Sequence, residues 1–372
     1  QIPIRKSHIA NRKYMKTRIL IIAIIILGAL QLQAQRRILN VPGLPGYVTL
    51  KCDFHSHTVF SDGNVWPVVR IGEAWRDGLD AISITDHIEY QPHKQYIPTD
   101  HSAAWKIAGP TAANYNIILV KGTEITRKMP PGHLNALFIT EPDSLVRDDF
   151  MEVIEAAIAQ GAFIQWNHPG WKSQQPDGIP RMYDVHRELI AKGWLHGIEY
   201  YNDVEYYPLV MDMCRDNNLA LMGNSDIHGN ISEEFPSPGY SHRPMTLVFA
   251  KERTHESLKE AMFARRTAVW YGDNIAAFEE IAAPLFKSVI SAGIPFKDDG
   301  KSIWFELSNS SDITMTLSGG PEGAPATLTV PAQGMVVVRA DRKYLSQPIT
   351  YSVDNFITGS DSVLKAEIAP AR

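Results

Sequence analysis

Ala81-Ile-Ser-Ile-Thr-Asp-His87 is a short apolar, β-branched run that ends on a carboxylate and an imidazole. A run of that length bounded by polar residues reads as a buried strand. The same pattern recurs along the chain. Tyr47-Val-Thr-Leu-Lys-Cys-Asp-Phe-His55 leads to His57, residues 117–121 lead to Glu124, residues 162–166 to His168, and residues 220–223 to Asp226 and His228. Further strands are predicted at 134–140, 197–201, 245–250 and 267–271. Helices are predicted at 66–78 (with Pro67 in the first turn), 149–160, 182–192, 206–218 and 255–265. Strands alternating with helices imply parallel βαβ units, and this many of them predict an α/β barrel over residues 46–275 rather than an open sheet. In a parallel barrel the C-terminal strand ends share one rim, which would make neighbours of residues far apart in sequence.

The residues gathered at those ends suit divalent metals, since imidazole and carboxylate are their common N/O ligands. His55 and His57 lie two apart on a strand and leave it on one face. Asp62, in Thr58-Val-Phe-Ser-Asp-Gly63, follows in a tight turn that can return a carboxylate to the same rim. Asp86 and His87 close the quoted strand, and Asp226 and His228 repeat the two-apart spacing with mixed ligands. Glu124 reads either as a structural rim acid or as a carboxylate between two metals. His168, in Asn167-His-Pro169, says little alone, and His133, in a Pro-Gly-His-Leu-Asn stretch, reads as a ligand or as a plain loop histidine.

The chain of 372 residues is 44% hydrophobic and 21% charged, ordinary for one or two globular domains. Met15-Lys-Thr-Arg18, an apolar run over 19–30 and Ala34 have the layout of an export signal, predicting a leader over 1–34 cut after Ala34 and no stable membrane span afterwards. Residues 1–14 read as translated leader upstream of a start methionine. Six cations lie in 1–34 and no acid, so their loss from a formal charge of −5 would leave −11. Such acidity disfavours a nucleic-acid polymer as partner. Cys52 and Cys214 sit in apolar patterns and read as buried free thiols in preference to one disulfide, the alternative an oxidising compartment would permit. Past residue 274 the texture becomes short alternating runs punctuated by Gly and Pro, predicting a small antiparallel β-sandwich over 285–372 without metal-type ligands, dispensable for the chemistry but not for substrate choice or stability.

Taken in order, Asp53-Phe-His-Ser-His-Thr58 with Ser61-Asp-Gly63, Ile84-Thr-Asp-His87, Gly122-Thr-Glu124, Asn167-His-Pro169 and Ser225-Asp-Ile-His228 resemble the polymerase-and-histidinol-phosphatase (PHP) family of metal-dependent phosphoesterases. Within it, the leader and the Ser-His-Arg-Pro-Met-Thr-Leu stretch at 241–247 look most like the exported Sb-PDE-type phosphodiesterases. The resemblance implies a distorted (β/α)7 barrel with two or three Mn, Fe or Zn ions on its rim. It assigns His55, His57, Glu124 and Asp226 to one ion, Glu124 with His133 and His168 to a second, and Asp62, His87 and His228 to a third. Many family members have histidine where this chain has Asp62. The implied reaction is attack of a metal-activated hydroxide on the phosphorus of a small phosphodiester. Asp86 is then either a proton donor or a partner orienting a ligand histidine, and Arg243, His242 and Lys121 are candidate phosphate contacts. The alternatives are a phosphomonoesterase resembling histidinol phosphatase and a non-catalytic metal- or glycan-binding module.

Overall fold

The computed structural model describes residues 35–235 and 242–371, so the expected leader over 1–34 lies outside the described residues. Residues 38–372 form one compact unit; of the unit before it, residues 35–37 are described and belong to no regular element. No helix among the described residues is long and apolar enough to cross a membrane.

In chain order the elements are β1 (Val48–Asp53), α1 (Pro67–Arg76), β2 (Ala81–Ile84), α2 (Ala103–Tyr115), β3 (Ile118–Thr126), β4 (His133–Leu137), α3 (Phe150–Ala159), β5 (Phe163–Trp166), α4 (Asp184–Ala191), β6 (Gly197–Asn202), β7 (Glu205–Tyr206), α5 (Leu209–Asn217), β8 (Ala220–Asn224), α6 (Ile231–Glu234), β9 (Met245–Ala250), α7 (His255–Phe263) and β10 (Thr267–Tyr271). There follow β11 (Asn274–Ala276), α8 (Glu279–Val289), β12 (Ile290–Ala292), β13 (Lys297–Asp298), β14 (Ser302–Asn309), β15 (Met315–Ser318), β16 (Thr327–Val330), β17 (Met335–Asp341), β18 (Ile349–Gly359) and β19 (Ser362–Ile368). The fold is mixed α/β around one large sheet, ordered β16-β15-β18-β11-β10-β9-β1-β2-β3-β4-β5-β6-β7, with β8 on β6 and β19 on β18.

β1, β2 and β3 are mutually parallel, as are β5, β6 and β8. This agrees with the alternation read from the sequence. Two expected members of the parallel set run the other way, since β4 is antiparallel to both neighbours and β9 is antiparallel to β1 and β10. For β4 the cause is local: a loop over 127–132 joins it to β3 and leaves no room for the crossover a parallel pair requires. No ladder joins β8 to β1. Beyond the strand ends a single parallel bridge, Ser56 to Ile227, spans that seam, with Asp226 N–H donating to the His55 carbonyl (2.9 Å) and His57 N–H to that of Ile227 (3.0 Å).

The C-terminal strands form as antiparallel pairs, but they do not stand apart. β18 lies parallel on β11, pairing Ile275 with Phe356, and carries the main sheet onward through β15 and β16. β14 organises a second sheet with β12, β13 and β17. Ile303, Phe305, Val338 and Tyr351 share a single apolar cluster with Leu247, Trp270 and Ile275 from the main sheet. The β-sandwich expected over 285–372 therefore has no core of its own. Cys52 and Cys214 are buried free thiols, as read from the sequence.

Candidate metal centre

The parallel strands β1, β2, β3, β5 and β8 end on one side, and each delivers a ligand-type side chain there within a few residues of its last hydrogen-bonded pair. His55 and His57 extend β1, His87 follows β2, Glu124 lies two residues before the end of β3, His168 follows β5, and Asp226 and His228 follow β8. His168 and Asp226 hold left-handed backbone conformations, with φ of 26° and 52°. Such strain in non-glycine residues persists only where the surroundings impose it. Asp62 arrives on a turn closed by Ser61 and Gly63 N–H groups donating to the Thr58 carbonyl (3.0 and 2.9 Å). At Gly63 a Cβ would stand 2.6 Å from His57 and Thr58 main-chain atoms, so the turn can lie against β1 only with glycine there.

Glu124 lies at the centre. Its Oε1 faces His133 Nδ1 (3.0 Å) and His168 Nε2 (3.6 Å), whereas Oε2 faces His55 Nε2 and His57 Nε2 (3.4 Å each) and His87 Nδ1 (2.9 Å). Asp226 Oδ1 closes the second group, 3.1 Å from His55 Nε2 and 3.0 Å from His57 Nε2, while its Oδ2 is 3.8 Å from His168 Nε2. A third group joins Asp62 Oδ1 to His228 Nε2 (3.3 Å) and His57 Nδ1 (3.7 Å), and Oδ2 to His87 Nε2 (3.4 Å). All nine expected ligands therefore converge. Within them the ligating atoms of His57, Asp62, His87 and His228, of His55, His57 and Asp226, of His55, Glu124 and His168, and of His87, Glu124 and His133 form sets close enough to share an ion.

The chemistry of these atoms fits divalent cations. His55 Nε2, His57 Nε2 and Glu124 Oε2 are buried and have no hydrogen-bond partner, a costly state unless something else satisfies them. His55 Nδ1 lies 2.9 Å from Glu199 Oε1, so that nitrogen carries the proton and Nε2 keeps its lone pair for the centre. His228 is held likewise, its Nδ1 donating to the Asp226 carbonyl (2.7 Å). Burial alone would raise the Glu124 carboxyl, but His87, His55 and His133 outweigh it and hold it well below the usual range. For His87 burial is overcome by Glu124 and Asp62, which raise it to about 10. Burial, with His87 and His228 close by, lowers His57 to about 3. The carboxylates thus demand positive charge that the histidines cannot all supply together.

Several supports escaped the sequence reading. Glu199, wholly buried on β6, binds His55, the N–H of His168 (2.7 Å) and the amides of Gln165, Asn202 and Asn224. Arg70 on α1 donates to the carbonyls of His57, Ile227, His228 and Gly229 at 2.7–3.0 Å, tying two ligand-bearing segments together. A buried acid in an apolar strand was a visible signal for Glu199, whereas Arg70 reads as the polar face of a helix.

Three expectations about other roles change, and the two roles offered for Asp86 narrow to that of a supporting residue. Asp86 accepts from Thr58 N–H (2.7 Å), Thr58 Oγ (2.6 Å) and Ser61 Oγ (2.7 Å), so it pins the turn that bears Asp62 and is no free proton donor. Arg243 is buried against Asp53 (3.1 Å) and Asp77 (2.7 Å). His242 packs on Trp270 and bonds the Gly272 carbonyl. Lys121 reaches the Thr140 carbonyl and the ring of Trp105. None of these last three lines the cavity over the centre, which has a volume of about 390 Å³. Its walls are Tyr90 beside His87, Trp171 beside His133 and His168, and a side formed by Asn202, Asp203, Glu205 and Glu234.

The comparisons agree with this geometry. A crystal structure from Bacteroides vulgatus, described as a two-domain protein containing a predicted PHP-like metal-dependent phosphoesterase, superposes with a TM-score of 0.85 at 38% identity, covering 90% of this chain and 99% of that one. A Bifidobacterium adolescentis protein described as a metal-dependent phosphoesterase aligns over 48% of this chain and 88% of its own at 19% identity and a TM-score of 0.37, too distant to argue from. An 84-residue stretch is 36% identical to an uncharacterised protein of Methanocaldococcus jannaschii, spanning 22% of this chain and 36% of that relative's length. No protein-family model matches. On the full-length similarity and the converging ligands, the chain belongs to the PHP-like metal-dependent phosphoesterases.

Proposed function

We propose that this hydrolase cleaves small phosphodiesters, with two or three divalent ions of the Mn, Fe or Zn type held at the rim, and that it acts after export. The observation carrying the metal centre is the division of Glu124 between two histidine groups, one at each oxygen. His55, His57, Glu124 and Asp226 would hold one ion, Glu124, His133 and His168 a second, and Asp62, His87 and His228 a third. Bound there, the ions would supply Lewis acidity to phosphate oxygens and acidity to a water nucleophile. The protein's own part is to orient: Glu199 and Arg70 fix the ligand segments, Asp86 fixes the Asp62 turn, and Trp171 and Tyr90 flank the space a substrate must fill. The reading of a distorted barrel is supported by the single Ser56–Ile227 bridge between the chain segments that follow β1 and β8. Preference for diesters is supported by the resemblance of the 241–247 stretch to the exported Sb-PDE-type phosphodiesterases. The apolar run over 19–30 supports export.

Metal-replete protein should carry two or three equivalents by elemental analysis and hydrolyse an aryl phosphodiester faster than the matching monoester, with turnover stopped by chelation. Less than one equivalent, or a preference for the monoester, would overturn the corresponding part.

A further inference from the structure

The cavity's charge is uneven in a way the reaction does not require. Its floor is the ligand cluster, and one side gathers three carboxylates beside Asn202: Asp203 in the turn between β6 and β7, Glu205 on β7, and Glu234 ending α6. Glu205 accepts from Tyr207 Oη (3.1 Å) and Glu234 from Gly229 N–H (3.2 Å), both neutral donors, while Lys172 shares a neighbouring hollow with Glu205. Asp203 sits at φ 52°, a left-handed conformation that sets it into the same turn. Its carboxyl is pushed up to about 6, by burial first and then by the proximity of Glu234, Asp226 and Glu205, which shows how closely like charge is gathered. No lysine or arginine among the described residues lines the cavity to offset it. Trp171 and Tyr90, 40% and 51% exposed, present aromatic rings at the same opening.

Resting on the phosphodiesterase reading, we infer that this carboxylate side selects the second alcohol of the substrate: a cationic arm is favoured, a neutral one accepted, and an anionic one rejected. The scissile phosphate lies over the ligand cluster, and the arm that leaves or stays projects towards Asp203, Glu205 and Glu234. An ammonium there gains both carboxylate attraction and the faces of Trp171 or Tyr90. A second carboxylate or phosphate meets repulsion worth about tenfold or more in affinity at the few-ångström separations of a partly enclosed site. The substrate class is therefore a phosphodiester of an amino alcohol or its quaternary analogue, and nucleoside bisphosphates and other polyanions are excluded.

Two measurements keep this separate from the reading it rests on. Calorimetric binding of phosphorylcholine and phosphoglycolate to the metal-loaded protein tests the wall whether or not any diester is cleaved. Phosphorylcholine should bind at least about tenfold more tightly, and the gap should shrink as salt is raised. In Glu205→Gln/Glu234→Gln protein, checked for metal content and melting temperature, the gap should fall below about threefold. Hydrolysis of p-nitrophenyl phosphodiesters of choline, ethanol and glycolic acid should rank in that order by kcat/KM. Equal or inverted binding of the two ligands, or a gap unchanged in the double variant, overturns the inference. Selective binding without turnover of any diester would uphold it and overturn the phosphodiesterase reading instead.

Discussion

The Glu124 rim and the Asn309 corner of the C-terminal layer both bury polar side chains completely, yet their hydrogen bonding differs. Asn309 donates through Nδ2 to the carbonyls of Ile313 (2.7 Å) and Pro331 (3.1 Å) and accepts at Oδ1 from Ser311 N–H (3.0 Å) and Oγ (2.8 Å). Every polar atom of that side chain is satisfied from within. At the rim, nitrogens of His55 and His57 and an oxygen of Glu124 have no such partner and point at one another. Burial of polarity is thus common to structure and function. What marks the functional site is that its unpartnered atoms converge.

The strongest challenge to the contrast is removal of the C-terminal layer. Because Phe305, Val338 and Phe356 share a core with Trp270 and Ile275, deletion of residues 285–372 should abolish soluble folded protein. A soluble, metal-loaded truncation seen by size exclusion and elemental analysis would show that the two regions are separable after all.

Glu124→Gln comes next. The amide cannot serve both histidine groups as an anion, so turnover should fall by about 10³-fold or more and metal content should drop, while the melting temperature of chelated protein changes little. Asn309→Ala should do the opposite, keeping turnover per folded molecule and costing about 1–3 kcal/mol of stability from the unpaired carbonyls it leaves. If denaturation curves and kinetics did not separate the two variants in this way, the distinction between open and closed polar burial would fail.

A smaller effect is expected at Glu199→Gln, which touches His55 from behind. Metal affinity should weaken about 10- to 100-fold, the usual loss when the partner of a ligand histidine is altered. Competition with a calibrated chelator would measure it, and an unchanged affinity would make Glu199 a structural acid only.

The strand-end rule made most of the rim legible, because a ligand at the C-terminal end of a parallel strand is placed by local pattern alone. Relations between strands were not legible. Arg243 looks like a free cation in Ser241-His-Arg-Pro, and its pairing with Asp53 spans 190 positions. The cavity side combines Asp203 and Glu205, two apart at the turn into β7, with Glu234 from α6, and nothing local in the sequence joins the pair to the third. α2 and α8 were missed because each holds an internal proline, Pro110 and Pro284, which argues against a helix when the sequence is read by itself.

The finest test concerns a histidine that belongs to neither region. His196 accepts the Ile164 N–H at Nδ1 (2.9 Å) and lies against Phe163 and Phe263. Burial, the leading cause, lowers it to about 4, although a hydrogen bond to the Gly193 backbone opposes the shift. The folded state therefore binds this proton less readily than the unfolded chain, where the ordinary value is about 6.5. Its contribution is complete above pH about 6.5 and is lost as the pH falls towards about 4, at up to about 1.4 kcal/mol per pH unit. The ligand histidines titrate too, so the informative quantity is a difference between two proteins. His196→Gln should be less stable than the parent at pH about 7, having lost the ring packing, and the gap in urea-unfolding free energy should narrow by about 2 kcal/mol by pH about 4.5. A gap that stayed constant would mean that His196 is protonated as easily in the folded protein as in the unfolded chain. The half-buried ring would then be open to water in the folded protein, unlike the side chain of Asn309.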